Sequence, residues 1–279
     1  MSAPRRITLC ADDYGISPGV NRGIRELIAQ GRLNATSVMV VGPAIGRDEI
    51  DALMQASARN PRCQIGLHTT LTAPFHPLTL AFRPLHGGLF LPLPRMLKTS
   101  LLRRLDGEMI RAEILAQIAA FVAMVGRAPD YLDGHQHVQI FPQVRDAVLD
   151  AVKTAAPTAW VRQCGRVGPL AQRLGMPKAL LLDVLSAGFR TRAAAAGVAV
   201  NPAFAGAYDF TRPVEFPTLM RNFLAGLPDR GLVMCHPGYV DDVLIALDPL
   251  TDQRKREYDF LASDAFALVL EAENVILRA

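Results

Sequence analysis

The chain has 279 residues, 50% of them hydrophobic and 20% charged, with a formal net charge of +4. That length and composition give a globular protein with a large core and exclude low-complexity and collagen-like classes. The charge is small, and Lys and Arg are scattered through stretches such as LKTSLLRRL and DQRKREY without interleaved aromatics, which argues against a nucleic-acid surface.

In chain order, MSAPRRITLCADD carries a basic pair but too short an apolar run for a signal-peptide core. No later run approaches the length of a membrane span, so a soluble, cytoplasmic protein is expected. ITLCA (7–11) reads as a first strand. Ser17 then caps a helix with Pro18 at its first position, where a missing N–H is harmless. Val20, Ile24, Leu27 and Ile28 form the apolar face of that helix, and Gly31 ends it. TSVMVVG (36–42) is a second strand, and a short helix near 48–58 leads to a third, CQIGLHTTL (63–71). Residues 73–100 are rich in proline and too long for an ordinary connection, which marks an insertion that acts as a lid or a subunit contact. An amphipathic helix follows, with Ile110, Ile114, Ile118, Phe121, Val122 and Val125 as its stripe and Gly126 at its end. DYLDGHQHVQ (130–139) comes next, then a helix opening at Pro142. TAWVRQ (158–163), VAVNPAF (198–204) and GLVMCHPG (231–238) read as further strands, with helices near 176–195, 214–227 and 263–273.

Apolar strands alternating with helices predict an α/β protein with a parallel sheet. A single domain over 1–279, built as a (β/α) barrel that is distorted or seven-stranded, fits the length; an open doubly wound sheet is the alternative. Cys10, Cys63, Cys164 and Cys235 are far apart and form no CxxC pair, so reduced thiols are expected rather than a zinc ribbon or a disulfide framework.

The polar residues that interrupt this pattern collect at strand ends. Asp12 and Asp13 follow the first strand, His68 the third, and Asp133, His135 and His137 the fourth. Asn201 and Asp209 flank AVNPAFAGAYDF, and His236 follows LVMC. In parallel α/β folds, ligands and catalytic groups gather at the C-terminal ends of strands. Taken singly, each has a plainer explanation: DDYG as a solvated turn, His68 as a satisfied strand-end histidine, His236 as the start of a turn. Their recurrence at equivalent positions is what sets them apart.

Adjacent carboxylates raise one another's pKa, and a divalent cation removes that penalty. One aspartate can ligate a metal while the other accepts a proton from water, and His68 and His135 supply nitrogen. In an extended segment, Asp133, His135 and His137 share one side of the chain, so Asp133 or His137 can orient a ligand.

CADDYGISPGVNRGI, GLHTTLT, LDGHQHVQIFP and VMCHPG resemble, in order and spacing, the four signature blocks of the YdjC-like carbohydrate deacetylases, from about residue 6 to 279. The resemblance implies a β/α barrel related to the polysaccharide deacetylases. It also implies metal-dependent removal of acetyl groups from N-acetylated sugars, of the chitooligosaccharide or glycolipid-linked N-acetylglucosamine type. It makes Asp13, His68 and His135 the metal ligands, Asp12 the general base and His236 the general acid. Where the family often reads D-S-H-x-H-x-H, this chain has Gly134 and Gln139, neither of them a ligand in this assignment. A His-His-Asp set suits zinc, and magnesium, cobalt, nickel or manganese are the other candidates. Phe75, Phe82, Phe90 and Tyr208 are candidate faces for a sugar, and Arg162 is a candidate partner for a polar substituent. A homodimer is left open. The alternatives are a metal-dependent amidohydrolase acting on a non-sugar amide, or an inactive sugar-binding barrel. A phosphoester enzyme would need a Gly-rich phosphate cradle or clustered Arg, and neither is present.

Overall fold

The computed structural model describes residues 3–166, 177–210 and 215–277. Its strands are β1 (Arg5–Tyr14), β2 (Ala35–Val38), β3 (Gln64–Thr69), β4 (Tyr131–Gly134), β5 (Trp160–Val161), β6 (Phe204–Ala205), β7 (Leu232–Cys235) and β8 (Val275–Leu277). Its helices are α1 (Pro18–Ala29), α2 (Arg47–Ala58), α3 (Leu93–Leu101), α4 (Gly107–Val125), α5 (Val144–Ala155), α6 (Pro177–Ala196), α7 (Phe216–Leu224), α8 (Asp242–Leu247), α9 (Asp252–Ala262) and α10 (Asp264–Ala272). Seven strands follow one another in the order β5-β4-β3-β2-β1-β7-β6, and β8 pairs with β1 off that path. The α/β class with a parallel, seven-stranded sheet is therefore as the sequence predicts. Residues 176 and 214, where two predicted helices begin, lie outside the described residues.

The chain divides into two compact bodies. The first comprises Met1–Ser37, Gly42–Ile65 and Pro202–Ala279. Here β1 pairs with β7 in parallel from Thr8↔Leu232 to Ala11↔Cys235, and with β8 from Arg5↔Val275 to Ile7↔Leu277. Helix α1 starts as its sequence demands: the Ser17 hydroxyl accepts the Val20 N–H at 3.2 Å. It buries Val20, Ile24, Leu27 and Ile28. Helices α8 and α9 escape the sequence reading. The inward face of α9 carries Arg254 and Glu257 beside Tyr258, Phe260 and Leu261, so an apolar stripe does not announce it.

The second body comprises Val38–Val41 and Gly66–Asn201. Here β3 pairs with β4 and β4 with β5, again in parallel. Helix α4 buries Ile110, Ile114, Ile118 and Phe121 as predicted, whereas Val122 is exposed and Glu113 and Gln117 are buried instead. These two polar side chains hold the proline-rich segment. The Glu113 carboxylate accepts the N–H groups of Leu78 (3.0 Å) and Thr79 (2.8 Å) and the Thr79 hydroxyl (2.7 Å). Gln117 bonds both the N–H and the C=O of Thr70. Phe82 and Phe90 are buried edge to face, with ring centroids 5.0 Å apart. The segment, which contains α3, is thus a packed wall, and those two rings fill it rather than offer a sugar face.

No helix among the described residues is long and apolar enough to cross a membrane. No disulfide joins Cys10, Cys63, Cys164 or Cys235, all of them among the described residues.

Candidate active site

Asp12 and Asp13 lie within the last residues of β1, not past its end as the sequence reading had them. Both are buried. Asp13 adopts a left-handed backbone (φ 69°), which Asp tolerates better than most residues. That residue breaks the alternation that would send neighbouring side chains to opposite faces of a strand. The turn closes through the Ile16 N–H, which donates to the Asp13 carbonyl at 3.1 Å, and the Gly15 N–H, which donates to Asn21 Oδ1 at 2.6 Å. Asp12 Oδ1 accepts from the Cys10 thiol and the Ser37 hydroxyl, each at 3.5 Å. One rung beyond the last β1–β7 pair, Ala11↔Cys235, stand Asp12 on one strand and His236 on the other.

In the second body, a row of polar side chains crosses three strands. His68 on β3 lies opposite Asp133 on β4, and Leu132↔Val161 brings Arg162 level with Asp133. His68 Nδ1 donates to Asp133 Oδ1 at 2.7 Å, and Arg162 Nη2 pairs with Asp133 Oδ2 at 2.5 Å. All three are buried. The carboxylate fixes the His68 tautomer and leaves Nε2 for a ligand. Arg162 is wholly buried behind this row, which corrects its candidacy for a polar group of a substrate.

His135 begins a 3-10 turn, His135–Ile140, in which Gln136 and His137 have left-handed backbones. The extended spacing expected for Asp133, His135 and His137 therefore ends at Gly134. His137 turns to the Cys164 thiol, with Nδ1 at 3.5 Å from Sγ. His135 is buried, with the Phe75 ring edge to face at 5.6 Å. The two departures from the family pattern touch each other: a Cβ on Gly134 would meet Gln139 Oε1 at 2.7 Å.

Two residues that sequence reasoning missed come from α9. Arg254, fully buried, donates from Nη2 to Asp13 Oδ2 at 2.6 Å and to Asp248 Oδ2 at 2.8 Å. Glu257, also fully buried, accepts the Tyr208 hydroxyl at Oε1 (2.7 Å) and the His236 backbone N–H at Oε2 (2.5 Å). Burial raises the Glu257 carboxyl to about 7, against the pull of those two donors. Burial also pushes the His236 imidazole below its ordinary value, opposed chiefly by Asp13. The His236 ring is half-buried; its Nδ1 is buried without a hydrogen-bond partner, and Phe210 meets it edge to face at 5.6 Å. The polar run RKRE gave a solvated face no contrary signal in the sequence.

The first body thus carries a buried carboxylate in Asp13, and the second two buried imidazoles, His68 and His135, with ring centroids 5.6 Å apart. Two imidazoles and a carboxylate, buried and with one tautomer fixed, fit a divalent metal. Asp133 already has one oxygen on His68 and the other on Arg162, which makes it a poor metal ligand itself.

The model of the YdjC-like protein family matches residues 6–272. Among solved structures, a protein of Enterococcus faecalis V583, provisionally described as a cellobiose-phosphate cleavage protein, has a TM-score of 0.73 at 21% identity, over 99% of this chain and 97% of that one. A lactam utilization protein from Thermus thermophilus has a TM-score of 0.54 at 17% identity, over 98% of this chain and 99% of that one. At these identities the likeness is one of fold.

Proposed function

We propose that this chain, which belongs to the YdjC-like protein family, is a metal-dependent hydrolase that removes the acetyl group from an N-acetylated sugar. The observation that carries the reading is the buried pair His68 and His135, with the His68 ring held by Asp133; in the first body Asp13 is buried, Asp12 is adjacent to it in the chain and His236 is level with Asp12. The sugar amide as substrate class rests on the resemblance of the four sequence blocks.

In this reading Asp13, through a carboxylate oxygen, and His68 and His135, through ring nitrogens, hold one divalent ion, with zinc and magnesium the first candidates. When bound, that ion polarises the acyl oxygen and the attacking water. Asp12 accepts the proton of that water as it attacks. His236 gives a proton to the departing amine nitrogen. Its lowered pKa makes it a stronger acid and thins its protonated population at neutral pH. Asp133, neutralised by Arg162, keeps the His68 ring from rotating.

The test is acetate release from chitobiose, N-acetylglucosamine, a glycolipid-linked N-acetylglucosamine and a non-sugar acetamide, after reloading with each candidate metal. Metal-dependent release from a sugar, reduced about 10²–10⁴-fold in Asp12→Asn, is expected. Release from the acetamide alone would redirect the assignment to a non-sugar amidohydrolase. Near-normal turnover in Asp12→Asn would remove Asp12 as the base.

A further inference from the structure

The two histidines assigned to the chemistry are held in different ways. The His68 ring is oriented by a carboxylate on its own Nδ1. His236 has no such partner on Nδ1; apart from the edge-to-face Phe210 ring, its placement comes through its main chain. The turn His236-Pro237-Gly238 has only two backbone N–H groups, since proline has none. Both go to one turn of α9: the His236 N–H to Glu257 Oε2 at 2.5 Å, and the Gly238 N–H to the Arg254 carbonyl at 3.1 Å. The other Glu257 oxygen takes the Tyr208 hydroxyl, so the carboxyl ties α9 to two separate segments.

We infer that Glu257 is a positioning residue for His236, fixing where that imidazole meets the leaving group by gripping the backbone of its turn. The inference rests on the reading of His236 as proton donor. Glu257 is buried and acts through His236; its two oxygens are each occupied by a protein donor, so it has no vacant face for substrate. A general acid needs its proton within hydrogen-bond reach of the leaving atom, so a shift of about 1 Å in the turn is costly to rate and nearly neutral to binding.

Two conservative variants separate geometry from charge. Glu257→Gln keeps the length: its carbonyl accepts the His236 N–H, and its amide donates to the Tyr208 oxygen, which turns from donor to acceptor. Glu257→Asp keeps the charge but draws the acceptors back by about 1.5 Å. The expected result is that Gln retains kcat within about threefold, while Asp loses about 10²-fold in kcat. KM and metal affinity stay close to wild type in both. Hydrogen exchange at the His236 amide, measured on the metal-free protein without substrate, should be slow in wild type and Gln and fast in Asp. Equal kcat in the two variants, or a loss in Gln with Asp unaffected, overturns the inference. So does an unchanged His236 amide in Asp. If wild type releases acetate from no substrate, the function proposed above fails by itself, and the exchange comparison still decides whether Glu257 holds the turn.

Discussion

Burial of Glu257 sets a measurable dependence of stability on pH. Its carboxyl is raised to about 7 in the folded chain from the ordinary 4.5. Each unit of such a difference is about 1.4 kcal/mol, so ionised Glu257 costs the folded state about 3 kcal/mol. The sign follows from proton counts. Below pH 4.5 the acid is protonated in both states and the cost is absent. Between pH 4.5 and about 7 the unfolded chain has released the proton and the folded chain has kept it, so stability falls as pH rises. Above about 7 both are ionised and the full cost is in place. Glutamine does not titrate, and every other ionisation is common to both proteins. The stability of Glu257→Gln minus that of wild type should therefore rise by about 2–3 kcal/mol between pH 5 and pH 8, whatever its value at either pH. Urea denaturation of the metal-free proteins at the two pH values measures it. A gap that stays constant within about 0.5 kcal/mol would refute the reasoning. A gap that narrows with pH would mean that the Tyr208 and His236 donors outweigh burial.

Other perturbations have equally definite outcomes. Asp133→Ala removes the carboxylate between His68 and Arg162 and leaves a guanidinium buried without its counter-charge; it should cost about 3–5 kcal/mol in stability by denaturation, and 10–100-fold in metal affinity by equilibrium dialysis. Gly134→Ala should be destabilising by about 1–2 kcal/mol and less so in a Gln139→Ala background, and a double-mutant cycle reads the difference as coupling between the two positions. Glu113→Ala deprives the Leu78 and Thr79 amides of their acceptor, so the 73–92 segment should become the first site of limited proteolysis at little change in α4 helicity.

Much of this was legible in the sequence because apolar periodicity reports directly on burial. Helix α1, with its cap and its stripe, lies where Ser17, Pro18 and Val20 to Ile28 put it. Asp12, Asp13, His68, His135 and His236 stood out because polar residues at the ends of buried strands need a reason to be there, and the first four are indeed buried. The misses have physical causes. Helix α9 buries Arg254 and Glu257, which any pattern of hydrophobicity assigns to solvent. His137 was placed by assuming an extended chain, and two successive left-handed residues end that geometry. Arg162 looked available because arginine rarely sits wholly inside, yet a carboxylate on the next strand makes that burial tolerable. Phe82 and Phe90 resembled a sugar platform only until each proved to be the other's partner.

The row His68–Asp133–Arg162 has a consequence for folding as well. Strand β5 is two residues long, too short for backbone pairing alone to choose its alignment against β4. A slip of one residue would turn Arg162 to the opposite face of the sheet and leave Asp133 facing a neighbour that cannot neutralise it. Burying either charge alone costs about 3–5 kcal/mol, a large share of a domain's net stability. The ion pair thus selects one register among several that backbone hydrogen bonds would accept, and the charges that steady His68 also reject the misaligned sheet.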